Sequence, residues 1–288
     1  MSDLRPRRSV LYMPAANERA LDKAKGIPAD ALIFDLEDAV APDAKPDARR
    51  NAVAAALSGE YGNKEITIRC NGLDTQWGHE DLAAAAMANV SAVVIPKINS
   101  VKEVEAVSSA LATAGAPGSM KIWAMIETPT AIFDVRQIAA HPRVQTLVMG
   151  TNDLAKELRA TQVRGRAPLT PHLATALLAA REAGKVILDG VFNDVKDLDA
   201  FRDECIQGAH MGFDGKTLIH PSQVEIANEV WAPTADEVDY AQRVIAAFEE
   251  ATAAGRGVIT VDGRMIENLH VDNARRVLAV QAAIESLN

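Results

Sequence analysis

The chain has 288 residues, about half of them apolar, which is enough for one large domain or two small ones. Its net charge of −9 argues against nucleic acid as the main partner. Its two cysteines, Cys70 and Cys205, supply neither a zinc nor a disulfide framework. No apolar run approaches the roughly 18 residues of a membrane span, and the charged start MSDLRPRRSV has no apolar segment of a secretory signal. A cytoplasmic protein with no membrane partner is expected.

In chain order, short apolar runs alternate with longer amphipathic ones. Strands are predicted at Ser9–Met13, Ala31–Leu36, Ile66–Asn71, Ala92–Pro96, Ile122–Glu127, Thr146–Gly150, Val186–Asp189 and His210–Phe213. They are rich in Val, Ile and Leu and mostly lack alternation, as strands buried on both faces do. Helices are predicted at Glu18–Lys25, Asp47–Leu57, His79–Met87, Val101–Ala114, Thr130–Ala139, Pro171–Ala183, Val195–Cys205 and Ser222–Val230. Asn17 and Ser100 stand where N-caps belong. A doubly wound open sheet is the competing fold. The repeated strand–helix alternation, with no Gly-x-Gly-x-x-Gly turn after the first strand, favours a (β/α)₈ TIM barrel over residues 1–232.

Residues 233–288 are surplus to a barrel. A helix is predicted at Ala235–Ala254, then a Gly255-Arg256-Gly257 break, a strand at Val258–Val261, an Asp262-Gly263 turn, a strand at Arg264–Glu267 and a helix at Asn273–Leu287. Asp-Gly between β-prone runs is a hairpin signal. This helix-hairpin-helix extension is expected to cover the barrel mouth or to reach a neighbouring subunit.

The active site of such a barrel lies where its strands end. Nearly every predicted exit is charged: Asp35-Leu36-Glu37-Asp38, Arg69 with Asn71, Lys97, Glu127, Asp153, Asp189 and Asp214-Gly215-Lys216. Buried charges are costly unless paired or ligated. Glu127 and Asp153 leave adjacent strands and can share a hard cation; two carboxylates with open positions suit Mg²⁺, and no His or Cys at these exits favours zinc. The alternative for Glu127 is a buried ion pair with Arg69 or Lys97. Arg69 can clamp a substrate carboxylate with its planar fork, or can pair with Glu37 or Asp38. Glu37 and Asp38 can orient waters around the cation or form a rim salt bridge. Gly150, Thr151 and Asn152 offer free backbone N–H groups as an anion nest, or make a simple turn. Metal chelation by a 2-oxo or 2-hydroxy acid, followed by carbon–carbon cleavage or hydrolysis, is the chemistry this set supports.

Several segments match a known family in order along nearly the whole chain. They are Arg8-Ser9-Val10-Leu11-Tyr12-Met13-Pro14, Phe34-Asp35-Leu36-Glu37-Asp38-Ala39-Val40, Ile68-Arg69-Cys70-Asn71, Ile95-Pro96-Lys97, Ile126-Glu127-Thr128, Gly150-Thr151-Asn152-Asp153-Leu154 and the segment from Gly212 to Pro221. The chain resembles the citrate lyase β-subunit-like branch of the HpcH/HpaI aldolase/citrate lyase family. The resemblance implies a TIM-like barrel, Mg²⁺ held by Glu127 and Asp153, and a CoA thioester of a hydroxy di- or tricarboxylic acid as substrate. It implies Arg69 as substrate or enolate stabiliser, and Tyr12, Pro14 and Arg19 as part of the coenzyme A site. It also implies a homotrimer or hexamer in which the C-terminal hairpin lids a neighbour's site. Lyases of the family carry an acid/base Asp in that lid. Here the position is Glu267, within Arg264-Met265-Ile266-Glu267-Asn268-Leu269-His270, a version that resembles the malyl-CoA thioesterase branch. One more methylene changes the reach of a proton-transfer group.

The expected activity is Mg²⁺-dependent cleavage of a malyl-, citramalyl- or citryl-type thioester to a 2-oxo acid and an acyl-CoA, with Glu267 protonating the enolate. Hydrolysis of the same thioester is the alternative. A subunit of a citrate lyase complex working on an acyl-carrier thioester, and a CoA-free pyruvate aldolase, are further readings.

Overall fold

The computed structural model describes residues 5–253 and 259–287. These fall into two compact units, one spanning Arg7–Val230 and the other beginning at Trp231. No helix among the described residues is long and apolar enough to cross a membrane.

In the first unit, eight parallel strands close into a barrel. They are β1 (Ser9–Pro14), β2 (Ala31–Asp35), β3 (Glu65–Arg69), β4 (Ala92–Ile95), β5 (Lys121–Ile126), β6 (Val144–Met149), β7 (Val186–Asp189) and β8 (Gly215–Leu218). Helices alternate with them: α1 (Glu18–Ala24), α2 (Lys45–Leu57), α3 (Gly78–Ala88), α4 (Val101–Thr113), α5 (Pro129–Ala140), α6 (Thr151–Glu157), α7 (Thr170–Glu182), α8 (Leu198–Met211) and α9 (Val224–Val230). The (β/α)₈ expectation is met. Val10, Ala31, Ile33, Ala92, Val94, Trp123, Met125, Val148 and Leu188 form one buried cluster contributed by strands alone, so the barrel centre is a packed core. Residues of the opposite parity, such as Leu32, Phe34, Val93, Ala124 and Leu147, are equally buried. Both faces being covered, the strands show no apolar–polar alternation.

Caps set several helix starts. Asn17 Oδ1 accepts the Ala20 N–H at 3.1 Å, and Ser100 Oγ accepts that of Glu103 at 3.4 Å. Both were expected. Thr128 does the same for α5, accepting the Ala131 N–H at 3.0 Å, one residue after Glu127 leaves β5.

Two local expectations need correction. Strand eight does not run from His210 to Phe213. His210 and Met211 are the last residues of α8, which Gly212 stops in the left-handed region (φ 105°). The strand starts at Gly215, where a Cβ would lie 1.8 Å from the Arg7 carbonyl oxygen. Lys216 is therefore inside β8, fully buried, and not at its exit. Thr151 and Asn152, expected with Gly150 in an anion nest or a turn, are the first residues of helix α6 (Thr151–Glu157), and Gly150 is its N-cap residue.

The second unit is helix α10 (Ala235–Ala253), a hairpin of β9 (Ile259–Val261) and β10 (Arg264–Ile266), and helix α11 (Asn268–Glu285). The predicted Gly255-Arg256-Gly257 break, Ala254 and Val258 lie outside the described residues. Asp262 and Gly263 turn the hairpin with φ of 50° and 76°, as a tight two-residue turn requires. Ala241, Val244, Val261, Ile266, Val271 and Ala274 form this unit's own core. Helix α11 begins earlier than expected, at Asn268, so Glu267 is its N-cap residue.

Candidate active site

Strand register builds the first half of the site. Asp35 and Arg69 are the last residues of β2 and β3 and lie side by side in the ladder. Arg69 Nε donates to Asp35 Oδ1 at 2.7 Å and its NH2 to Oδ2 at 2.6 Å, a bidentate pair. The third guanidinium nitrogen, NH1, is 2.7 Å from Glu37 Oε2 and 3.6 Å from Asp38 Oδ2. The Arg69 fork is thus already filled by protein carboxylates. Burial works against its charge, and the hydrogen bond and charge of Asp35 more than offset that, so its pKa is raised. The guanidinium also stacks over the Tyr12 ring, 4.8 Å from the centroid. Burial pushes the Tyr12 phenol well above its ordinary range.

The β2 exit is pinned from below. Buried Lys45 donates to the carbonyls of Leu36 and Glu37 at 2.8 and 3.0 Å. Asn71 Nδ2 donates to the Leu36 carbonyl at 2.9 Å and to Asp81 at 2.6 Å, and Arg49 closes on the same Asp81. The Leu36 and Glu37 carbonyls are thus engaged, while the Glu37 side chain is largely buried and that of Asp38 is exposed.

Glu127 leaves β5 with its side chain 2% exposed. Its Oε1 accepts the Lys97 backbone N–H at 2.7 Å. Lys97 holds that N–H in place from a left-handed backbone, φ 49°. The next strand leaves room for Glu127 through Gly150, where a Cβ would lie 2.2 Å from Oε2. No side-chain cation lies within ion-pair reach of Glu127 among the described residues. Burial first, then the charges of Glu37 and Asp153, push its pKa up to about 7, against the Lys97 N–H and Arg69. Glu37 is pushed to about 7 as well, by burial and by Asp38 and Asp35. Its Oε2, though close to Arg69, is buried without a well-directed hydrogen bond. Asp153, in the first turn of α6, is half-buried and near enough to raise Glu127.

A surplus of carboxylate oxygens, without His or Cys, is a donor set for a hard divalent cation. Glu127, buried and without an ion-pair partner among the described residues, is the carboxylate here most short of a counter-charge, and Asp153 lies near it. Among the described residues no group of three or more His, Cys, Asp or Glu side chains stands ready to hold a metal.

The other candidates separate. Pro14 is half-buried at the end of β1, and Arg19 is exposed on α1. Asp38 is 71% exposed in its side chain. Thr151 is buried and Asn152 exposed. Asn152 exchanges hydrogen bonds with Asn193 at 2.7 and 3.1 Å and accepts one from Gln162 at 3.2 Å. It lines a cavity of about 730 Å³ between residues 161–169, 191–197 and α8, which takes in only Thr151 and Asn152 of the residues chosen from sequence. Glu267 belongs to the second unit, exposed at the start of α11, its backbone N–H donating to His270 Nδ1 at 3.0 Å. Sequence reasoning assigned no role to Asp35, Lys45 or the Lys97 backbone. The signal for Asp35 was its position one strand over from Arg69 at the same height.

Residues 8–221 match the model of the HpcH/HpaI aldolase/citrate lyase family. The chain belongs to that family. Its curated relatives within the HpcH/HpaI group include a (3S)-malyl-CoA thioesterase of Cereibacter sphaeroides, 50% identical over 279 residues, covering 97% of this chain and 96% of the relative. Citrate lyase subunit beta of Escherichia coli K12 is 36% identical over 281 residues, covering 96% and 93%. Among solved structures, CitE from Mycobacterium tuberculosis in complex with magnesium, acetoacetate and coenzyme A superposes with a TM-score of 0.80. It is 28% identical and covers 97% of this chain and all of that one.

Proposed function

We propose that the protein is an Mg²⁺-dependent enzyme acting on a malyl-type CoA thioester. The observation that carries this is Glu127: a carboxylate buried beside other acids, held by one backbone N–H and, among the described residues, without an ion-pair partner. A relative bound to magnesium and coenzyme A, and relatives named for malyl-CoA and citrate chemistry, supply the substrate class.

Glu127 and Asp153 would hold the cation, which supplies Lewis-acid polarisation of the oxygen where charge develops. Arg69, clamped by Asp35 and Glu37, contributes a fixed positive field at the mouth and needs no reorganisation to do so. Glu37 and Asp38 would order water at the cation. Tyr12, Pro14 and Arg19 would contact the coenzyme, and the N–H groups of Gly150, Thr151 and Asn152 the acyl end. Glu267 would serve as acid/base from a neighbouring copy. Its flanks, Met265 and Leu269, are each 62% exposed. Phe133 on α5 and Leu178 on α7, 91% and 72% exposed, add apolar surface that a homotrimer or hexamer would cover. Two free, buried cysteines suit a cytoplasmic setting.

Two outcomes share this site. In hydrolysis, water adds to the thioester carbonyl, the C–S bond breaks and the thiol leaves with a proton. In cleavage, the hydroxyl loses its proton, the carbon–carbon bond breaks and its electron pair passes to the thioester enolate, which Glu267 protonates. We favour hydrolysis as the net reaction, because the 50%-identical relatives are thioesterases. Lysis is the second reading, supported by the citrate lyase relatives. Incubation of (S)-malyl-CoA with protein and Mg²⁺ decides: malate and free CoA without glyoxylate support hydrolysis, and glyoxylate with acetyl-CoA supports lysis. No turnover alone, with turnover once carrier partners are added, would favour a complex subunit.

A further inference from the structure

Sequence pattern offered Arg69 either as a clamp for a substrate carboxylate or as a partner of Glu37 or Asp38, and in the structure protein carboxylates occupy the clamp. Its Nε and NH2 hold Asp35, and its NH1 faces Glu37. A substrate carboxylate arriving at the barrel mouth would have to displace a buried, bidentate partner. It would also enter a field dominated by Glu37, Asp38, Glu127 and Asp153. Beside the proposed Mg²⁺, a protein cation without an ion-pair partner is the group suited to receive it.

Lys97 is that cation. It follows β4, and its ammonium feels Asp153, Glu37, Glu127 and Asp38, in that order of strength. It makes no ion pair with any of them within 4.0 Å among the described residues. Its side chain is exposed while the residues on either side, Pro96 and Ile98, are buried. The left-handed backbone at Lys97 (φ 49°) turns the N–H inward onto Glu127. One residue therefore fixes a candidate metal ligand through its backbone and offers an uncommitted ammonium among the same acids. An ammonium on a flexible stem is suited to meet a mobile carboxylate as a point charge.

We propose that Lys97 binds the free carboxylate of the substrate's acyl group and so sets the preference for dicarboxylic over monocarboxylic acyl thioesters. The proposal rests on the reading of the site as one for a malyl-type thioester. Lys97 acts in binding: it pairs with a charge the reaction does not change, and takes no proton from it.

The test uses the full-length protein with saturating Mg²⁺, and calorimetry with (S)-malate and with free CoA as separate probes. Lys97→Met is expected to weaken malate binding at least tenfold and to leave CoA binding unchanged. Lys97→Arg should recover malate binding to within a few-fold. Lys97→Gly, which relieves the left-handed backbone while removing the side chain, should behave as Lys97→Met. In steady state with malyl-CoA, KM should rise at least tenfold in Lys97→Met, with kcat within a few-fold of wild type. Wild-type affinity for malate in Lys97→Met would overturn the proposal, and so would a loss confined to kcat. A wild-type protein that binds CoA but neither binds malate nor turns over malyl-CoA overturns the functional reading, and this proposal with it. A wild type that does both, beside an unaffected Lys97→Met, overturns this proposal alone.

Discussion

Two clusters of buried charge sit on this barrel, and they are built on opposite terms. Behind β7 and β8, Lys216 donates to Asp189 at 3.0 Å and to Glu204 at 2.8 Å, while Arg166 donates to Asp189 at 2.7 Å. Acids and bases match there, and although burial opposes it, Lys216 and Arg166 hold the Asp189 pKa below its ordinary value. At the mouth, the five acids Asp35, Glu37, Asp38, Glu127 and Asp153 outnumber the cations near them among the described residues, Arg69, Lys97 and Lys45, and Glu37 and Glu127 are pushed up to about 7. The balanced cluster completes itself from the chain. The unbalanced one is short of positive charge, and that shortage is why we place the chemistry there. Charge at a strand end is a poor guide to function; uncompensated charge is a better one.

Glu127→Gln should separate the clusters most sharply. The amide keeps an acceptor for the Lys97 N–H but loses the ligand charge. Losing several kcal/mol of metal-dependent stabilisation corresponds to roughly a 10³-fold fall in kcat/KM. Melting in Mg²⁺ titrations should show the wild type stabilised, by about 2.7 kcal/mol at a concentration 100 times Kd, and the variant not. Without Mg²⁺ the variant should be at least as stable as wild type, since an unpaired buried carboxylate is gone. Retained Mg²⁺ stabilisation in Glu127→Gln would defeat the metal assignment.

Lys216→Met should do the reverse. Breaking a buried pair by removing one partner costs about 3–5 kcal/mol. Denaturant midpoints should fall accordingly, while KM for the thioester in the folded fraction stays near wild type. An active-site role for Lys216 would show instead as lost turnover at unchanged stability.

The same comparison has a pH signature. The folded Asp189 pKa lies below its unfolded value of about 3.9, so its stabilisation is present above that pH. It disappears as pH falls through the lower folded value. The stability gap between wild type and Asp189→Asn should therefore be full at pH 6 and shrink below about pH 4. A gap that persists unchanged in acid would mean the loss is one of packing.

Much of this was legible in the sequence, for identifiable reasons. Strands such as Ile122-Trp123-Ala124-Met125-Ile126 declare themselves because both faces are buried and no polar residue interrupts them. Asn17, Ser100 and the Asp262-Gly263 turn were readable because each satisfies a local backbone demand. Strand β8 was not, because its residues Gly-Lys-Thr-Leu look polar; the lysine is buried only by virtue of Asp189 and Glu204, which lie elsewhere in the chain. Arg69 was placed at the mouth by its strand exit, yet its partner Asp35 depends on the β2–β3 register, which one strand's pattern does not specify. Lys97's left-handed backbone has no sequence signature, since nothing about a Pro-Lys dipeptide demands it.

Glu37→Gln and Asp38→Asn offer the finest discrimination within the mouth. Sequence position treats these neighbours alike. Glu37 is 14% exposed with its Oε2 against Arg69, whereas Asp38 is 71% exposed and 3.6 Å from the same nitrogen. An exposed pair contributes about 0–1 kcal/mol, so Asp38→Asn should change kcat/KM by no more than a few-fold. Glu37→Gln alters the buried counter-charge of Arg69 and the field at Glu127, so its effect should be larger, roughly tens-fold, and accompanied by weaker Mg²⁺ affinity. Equal effects of the two substitutions would mean that both acids work through solvent at the mouth. Burial would then have no part in choosing between them.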